Sequence, residues 1–200
     1  KGWNDFAFAI KKILNFTKAT YTDKEVSEWG KEVHTVTLAS GKEIKITTAQ
    51  LMSFYCLLKR EQARGHIFGG GVRIADIAEG KEKIQQTDNF LISEEDVQTL
   101  YDELTSRQID VANKLQKFMT EQGSEWGNKV SMERFGYRAF TEENYFPIET
   151  DDNNRIAIDP EAKANDMFRL LNMSATKGLV KGANNALVVS DIFDVFSNHM

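Results

Sequence analysis

Apolar residues recur along most of this chain at the three- and four-residue intervals of a helix. The longest such pattern, Val97, Leu100, Tyr101, Leu104, Val111, Leu115, Phe118 and Met119, predicts one uninterrupted helix over 93–122. Ser93 stands at its N-cap with Asp96 at the capping-box position, Ile92 can staple onto Val97, and Gly123 supplies a stop. At 1.5 Å per residue such a rod is about 45 Å long, and the other elements are expected to assemble around it. Ser124 then opens a second helix to 135 with Trp126, Val130 and Phe135 inward, so the pair should form a helical hairpin.

Before the rod, Trp3, Phe6, Ala7, Ile10, Ile13 and Leu14 give an amphipathic helix over 2–16 with Lys11 and Lys12 on its outer side. A polar stretch, 23–31, separates it from the one strong strand signal. Within 33–47, Val36 and Leu38 alternate before a turn and Ile44 and Ile46 after it. If Ala39, Ser40 and Gly41 form a three-residue loop with Gly41 left-handed, Val36 falls opposite Ile44 and all four side chains share a face. Thr47 with Gln50 opens the next helix, which should run to Arg64 and stop at Gly65. It is apolar nearly all round, so it should be the most buried element, and Cys56 inside it reads as a small core hydrophobe rather than a reactive thiol.

The residues from 74 to 89 are charged and lack a period, which predicts a loop. From Gly136 to Ile148 aromatic residues and Pro147 predict an extended arm lying over the helices. Asp159 and Pro160 start a further helix, 174–184 reads as a polar linker, and Leu187, Val188, Ile192, Phe193, Val195 and Phe196 give a last helix from about 185. That helix needs a cover for its apolar face, within the chain or on a second copy. The whole is a mainly α protein, a helical core over 1–150 followed by a C-terminal helical segment over 151–200. The start on Lys1 and the end in mid-helix suggest a piece of a longer chain.

Composition narrows the chemistry. The 200 residues carry 41% hydrophobic content, enough for a core without covalent staples. One cysteine and three histidines argue against disulfide or zinc scaffolding, no cofactor motif is present, and the apolar runs fall short of the ~20 residues of a bilayer span. A net charge of -5 excludes a generally basic coat for nucleic acid, so any such contact must be local. The place for it is Lys59, Arg60, Arg64, His66, Gly69, Gly70, Gly71 and Arg73, where successive glycine N–H groups and four cations could meet a phosphate. Lys177 and Lys181 are further candidates. The segment has neither the Walker spacing nor the strand that precedes a dinucleotide fingerprint, and a flexible turn with solvated charges is the better-supported reading. Glu142, Asp151 and Asp152 could be assembled into a hydrolase, although adjacent carboxylates such as Glu142 and Glu143 point to opposite sides of an extended chain. Asp151, Asp152, Asn153 and Asn154 lack the alternation of a calcium loop and read as a turn.

The run from Ile46 to Tyr55, Lys59 and Arg60 with the three glycines, the segment from Glu143 to Ile148, Ser174 to Lys177, Asn184 and Asn185, and the final Asp191 to Val195 together resemble a region of the very large polyvalent proteins of tailed phages and integrative elements. In that family such regions stand beside methylase, helicase, nuclease or peptidase modules. The resemblance implies a mobile-element setting, in the host interior or in the virion, with other domains of a parent chain as partners. It carries no catalytic residue onto this sequence. A non-catalytic structural or docking module is therefore the leading expectation, with nucleic-acid backbone binding through 59–73 as the alternative.

Overall fold

In a computed structural model, residues 2–79, 82–150 and 186–200 are described. The alternating segment folds as read: β1 (Val33–Thr37) and β2 (Glu43–Thr47) pair antiparallel with Val36 opposite Ile44. Gly41 has φ +82, Leu38 N–H donates to the Lys42 carbonyl at 2.9 Å, and Val36, Leu38, Ile44 and Ile46 are all buried. A positive φ is strained for any residue with a Cβ, which is why glycine sits there. The first helix also forms and runs on a turn further, as α1 (Gly2–Thr20). The polar stretch after it is a short helix, α2 (Asp23–Trp29), started by reciprocal bonds between Thr22 and Glu25 and anchored by buried Trp29.

The fold is mainly α, with seven helices among the described residues, but the long rod is two helices. α5 (Glu94–Asp102) begins at Ser93 and Asp96 as expected, then the chain breaks and α6 (Ser106–Phe135) begins. The break is a second capping box: Thr105 Oγ1 accepts from Gln108 N–H, and Gln108 Oε1 accepts from Thr105 N–H at 2.7 Å. Both local signals existed in the chain, and the unbroken apolar period masked the second. Gly123 does not stop the helix either. A mid-helix glycine costs only about 1 kcal/mol, and α6 continues through it to Gly136, whose φ of +75 closes the helix by a bond to the Met132 carbonyl. The expected helical hairpin is thus one helix.

The element with the most neighbours is α3 (Thr48–Lys59), which packs on α6, on α4 (Glu61–Gly70), on the C-terminal helix α7 (Ile192–His199), and on β2, α2 and α5. Its Thr47–Gln50 capping box is present, and its side chains are buried nearly all round. It ends earlier than expected, at Arg60, which takes an extended backbone (φ -90, ψ 115) and redirects the chain into α4; Gly65 lies inside α4.

The segment 74–89 is not all loop. β3 (Val72–Ile74) is followed by the hairpin of β4 (Ile77–Glu79) and β5 (Glu82–Ile84), and β3 pairs in parallel with β6 (Leu187–Val189). The last apolar run is therefore a strand and then a helix. Its face is covered within the chain: Phe196 meets Phe16 and Phe118, and Phe193 lies against Tyr21 and Trp29. Residues 186–200 join the same core as the rest, which removes the reason to expect self-association through α7. The helix expected from Asp159 and the linker 174–184 lie outside the described residues.

Candidate functional site

The basic segment is where the sequence placed a phosphate. Arg60 stands at the break between α3 and α4, with its side chain only 13% exposed. Nη1 donates to the Phe146 carbonyl at 2.6 Å, Nη2 reaches Glu142 at 2.9 Å and Gln62 at 2.9 Å, and the guanidinium lies 5.3 Å from the Tyr145 ring centre. The arm that follows α6 is thereby clasped against α3, with Phe146 buried beneath it. Gln116 adds a second tie, donating from Nε2 to the carbonyls of Cys56 and Asn144 at 2.9 and 3.1 Å. No short-range signal marked Gln116; only its place on the inward face of α6 hinted at it.

The other cations reach different elements. Lys59 Nζ donates to Asn113 Oδ1 at 2.7 Å and lies over Tyr55; Arg64 pairs with Glu94 at 3.0 Å and lies over Phe68; Arg73 donates to the Gln86 carbonyl at 3.1 Å. His66 is half-buried in α4. Gly69 and Gly70 form the last turn of that helix, and Gly71 ends it with φ +83, its N–H donated to the Ile67 carbonyl. A Cβ at Gly71 would stand 2.6 Å from the Phe90 carbonyl oxygen, so the close passage of the backbone at Phe90 requires glycine there. The three glycines close a helix, where carbonyls and the negative dipole end are presented, rather than opening one, where N–H groups would face an anion. This corrects the expected cradle of converging N–H groups. Lys177 and Lys181 lie outside the described residues, as do Asp151, Asp152, Asn153 and Asn154.

No family model, curated protein or solved structure matches this chain. Its own geometry is therefore what informs function. Cys56 is fully buried, its Sγ directed at the Ala112 carbonyl at 3.5 Å, and burial pushes its pKa up to about 12, so it is a core residue and not a nucleophile. Glu142 is taken by Arg60, and Glu143 is exposed. Among the described residues no group of three or more His, Cys, Asp or Glu is placed to hold a metal, and no helix is long and apolar enough to cross a membrane.

What the sequence did not reveal is an uncovered apolar end. α1 lies antiparallel along α6: Arg107 donates to the Thr20 carbonyl at 2.9 Å, Phe16 stacks on Phe118 at 4.0 Å, and Lys12 pairs with Glu125 at 3.2 Å. The stripe that seats Ile13 and Phe16 in the core continues at helical spacing to Ile10 and Phe6, which are 41% and 59% exposed. On α6 the stripe through Leu115, Met119 and Gln122 continues to Trp126 and Val130, beyond the last core contact. Met132 and Phe135 are exposed on the same stretch, and Tyr137 and Phe140 return beside it. Asn128 holds the Phe140 backbone at both its N–H and its carbonyl, and the Phe140 ring sits where a Cβ on Gly127 would be. Periodicity identified Phe6, Ile10, Trp126, Val130 and Phe135 as inward facing; it does not say whether a neighbour exists to face.

Proposed function

We propose that this chain is a non-catalytic docking module, in the mobile-element setting its motifs resemble, and that it joins a second copy of itself through the uncovered ends of α1 and α6. The observation behind this reading is the pair of apolar stripes that run past the core on two antiparallel helices. Two such helices are half of a four-helix layer, and a two-fold axis supplies the other half from an identical surface. The exposed side chains on those two stripes include Ile10, Leu14 and Val130, each roughly half exposed, which suits a small and reversible contact rather than an obligate one.

Analytical ultracentrifugation of the chain beside an Ile10→Ser, Val130→Ser, Phe135→Ser triple variant tests it. The wild type should sediment as a dimer with a measurable dissociation constant, and the variant as a monomer with unchanged circular dichroism. A wild type that stays monomeric at high micromolar concentration rejects self-association, and the uncovered end then belongs against another domain of a parent chain.

A further inference from the structure

A cavity of about 370 Å³ lies between α3, the 146–149 arm and the β6–α7 corner. It belongs to neither the apolar end nor the basic segment, and its volume falls within the range of small-ligand pockets. α3 contributes Gln50, Ser53 and Leu57, the i, i+3, i+7 face of one helix, so Ser53 stands in the wall of the space. Ser53 is 1% exposed, and its Oγ has no hydrogen-bond partner. A buried hydroxyl without a partner costs free energy unless something supplies one. The side walls are apolar, from Phe146, Pro147, Ile148 and Val195.

The mouth differs in character. Glu149 and Asp194 are exposed there, and no lysine or arginine is among the described residues that line the cavity. The Glu149 carboxylate accepts from Ser190 Oγ at 3.2 Å and keeps further acceptor capacity. The other acids are occupied: Asp191 Oδ1 accepts from the Phe193 and Asp194 N–H groups, and Asp76 accepts from Gln86 N–H and pairs with Lys83. His199 is bonded to the Tyr145 hydroxyl at 2.8 Å, and burial lowers its pKa, so it brings no positive charge at neutral pH. A hydroxyl in a largely apolar wall and two carboxylates at the mouth describe a complementary molecule with a neutral hydrogen-bonding end, a short aliphatic stem and a cationic head.

We infer that this cavity is a binding site for a small organic cation of the amino-alcohol type, its ammonium held at Glu149 and Asp194 and its hydroxyl bonded to Ser53.

Titration calorimetry with 5-amino-1-pentanol, pentylamine and 5-hydroxypentanoate tests each part. The amino alcohol should bind, and pentylamine, which lacks the hydroxyl, should bind about fivefold more weakly, the effect of one neutral hydrogen bond. In Ser53→Ala that preference should vanish while the melting temperature holds or rises, because an unpartnered buried hydroxyl has been removed. In a Glu149→Gln, Asp194→Asn variant both amines should weaken by roughly tenfold, and their affinity should lose its salt dependence. Binding of 5-hydroxypentanoate as tight as that of the amino alcohol, a preference that survives in Ser53→Ala, or no binding of either amine at millimolar concentration would each overturn the assignment.

Discussion

Between Ser106 and Gln122, α6 turns Val111, Ala112, Leu115 and Met119 fully into the core; between Gly123 and Phe135 the same helix leaves Val130, Met132 and Phe135 in water. The backbone is continuous across the two halves, and Trp126 and Val130 extend the apolar stripe of the first into the second. The difference is the neighbour. Among the described residues, the first half lies against α3 and α7, while the second has α1 and the returning 137–140 segment beside it. An amphipathic period thus specifies a face suited to burial and does not supply the neighbour that buries it.

The sharpest way to break this comparison is to truncate one apolar side chain in each half. Leu115→Ala, at a fully buried site, should lower the unfolding free energy by about 3 kcal/mol through lost burial and a cavity. Val130→Ala should change the stability of the monomer by less than about 0.5 kcal/mol, as at an ordinary surface site. Urea denaturation at a concentration where the chain is monomeric checks both, and similar losses would mean that the second half is packed after all.

A smaller effect is expected where the arm is clasped. Arg60→Ala removes the donor to the Phe146 carbonyl and the partner of half-exposed Glu142, and should cost about 1–2 kcal/mol. Limited proteolysis should then cut within 136–150 faster than in the wild type, while cleavage elsewhere stays slow. Equal cleavage in both proteins would show that the arm is held by Phe146 and Gln116 without the guanidinium.

The start of α6 gives a third measure. Thr105→Ala removes the cap that separates α5 from α6 and should cost about 1 kcal/mol. Amide exchange should accelerate in the first turn of α6 but not beyond Gly123, because the cap acts only on the orphan N–H groups of its own end. Uniform acceleration along α6 would mean that the two halves open as one unit.

The smallest effect is electrostatic. Arg107 bonds the Glu25 carboxylate at 2.9 Å, and this holds the Glu25 pKa down at about 2, below its ordinary 4.5. A depressed carboxylate contributes stability that is present above the ordinary value and is lost as pH falls from 4.5 through about 2. With Arg107 46% exposed, solvent screening limits the contribution to about 0.5–1 kcal/mol. Arg107→Ala should therefore flatten the decline of melting temperature over that acid window, and an unchanged slope would assign the acid sensitivity to other groups.

Much of the local structure was legible. The Val36–Ile44 register, the left-handed Gly41 and the caps at Thr47 and Ser93 depend on residues a few positions apart, and each formed as its pattern implied. The errors share one cause. Gly65 and Gly123 look like stops because glycine is permissive, yet glycine only removes a preference, and its cost of about 1 kcal/mol is too small to end a helix that its neighbours in sequence propagate. Arg60 ends α3 without any breaker, because an extended backbone there lets its guanidinium reach the arm. The candidate site fared the same way: the basic residues were visible as a run in sequence, but their partners on α6, α5, the arm and the 82–90 segment were not.

The sequence by itself determined where helices and the hairpin would begin and which faces would be apolar, since capping, alternation and helical period act within a turn or a strand pair. Only the tertiary structure decided that β3 and β6 pair across most of the chain, that Ser53 lines a cavity, and that the α1 and α6 stripes outrun their cover. Those outcomes depend on which distant surfaces meet, and a one-dimensional pattern fixes the need for burial without naming the surface that meets it.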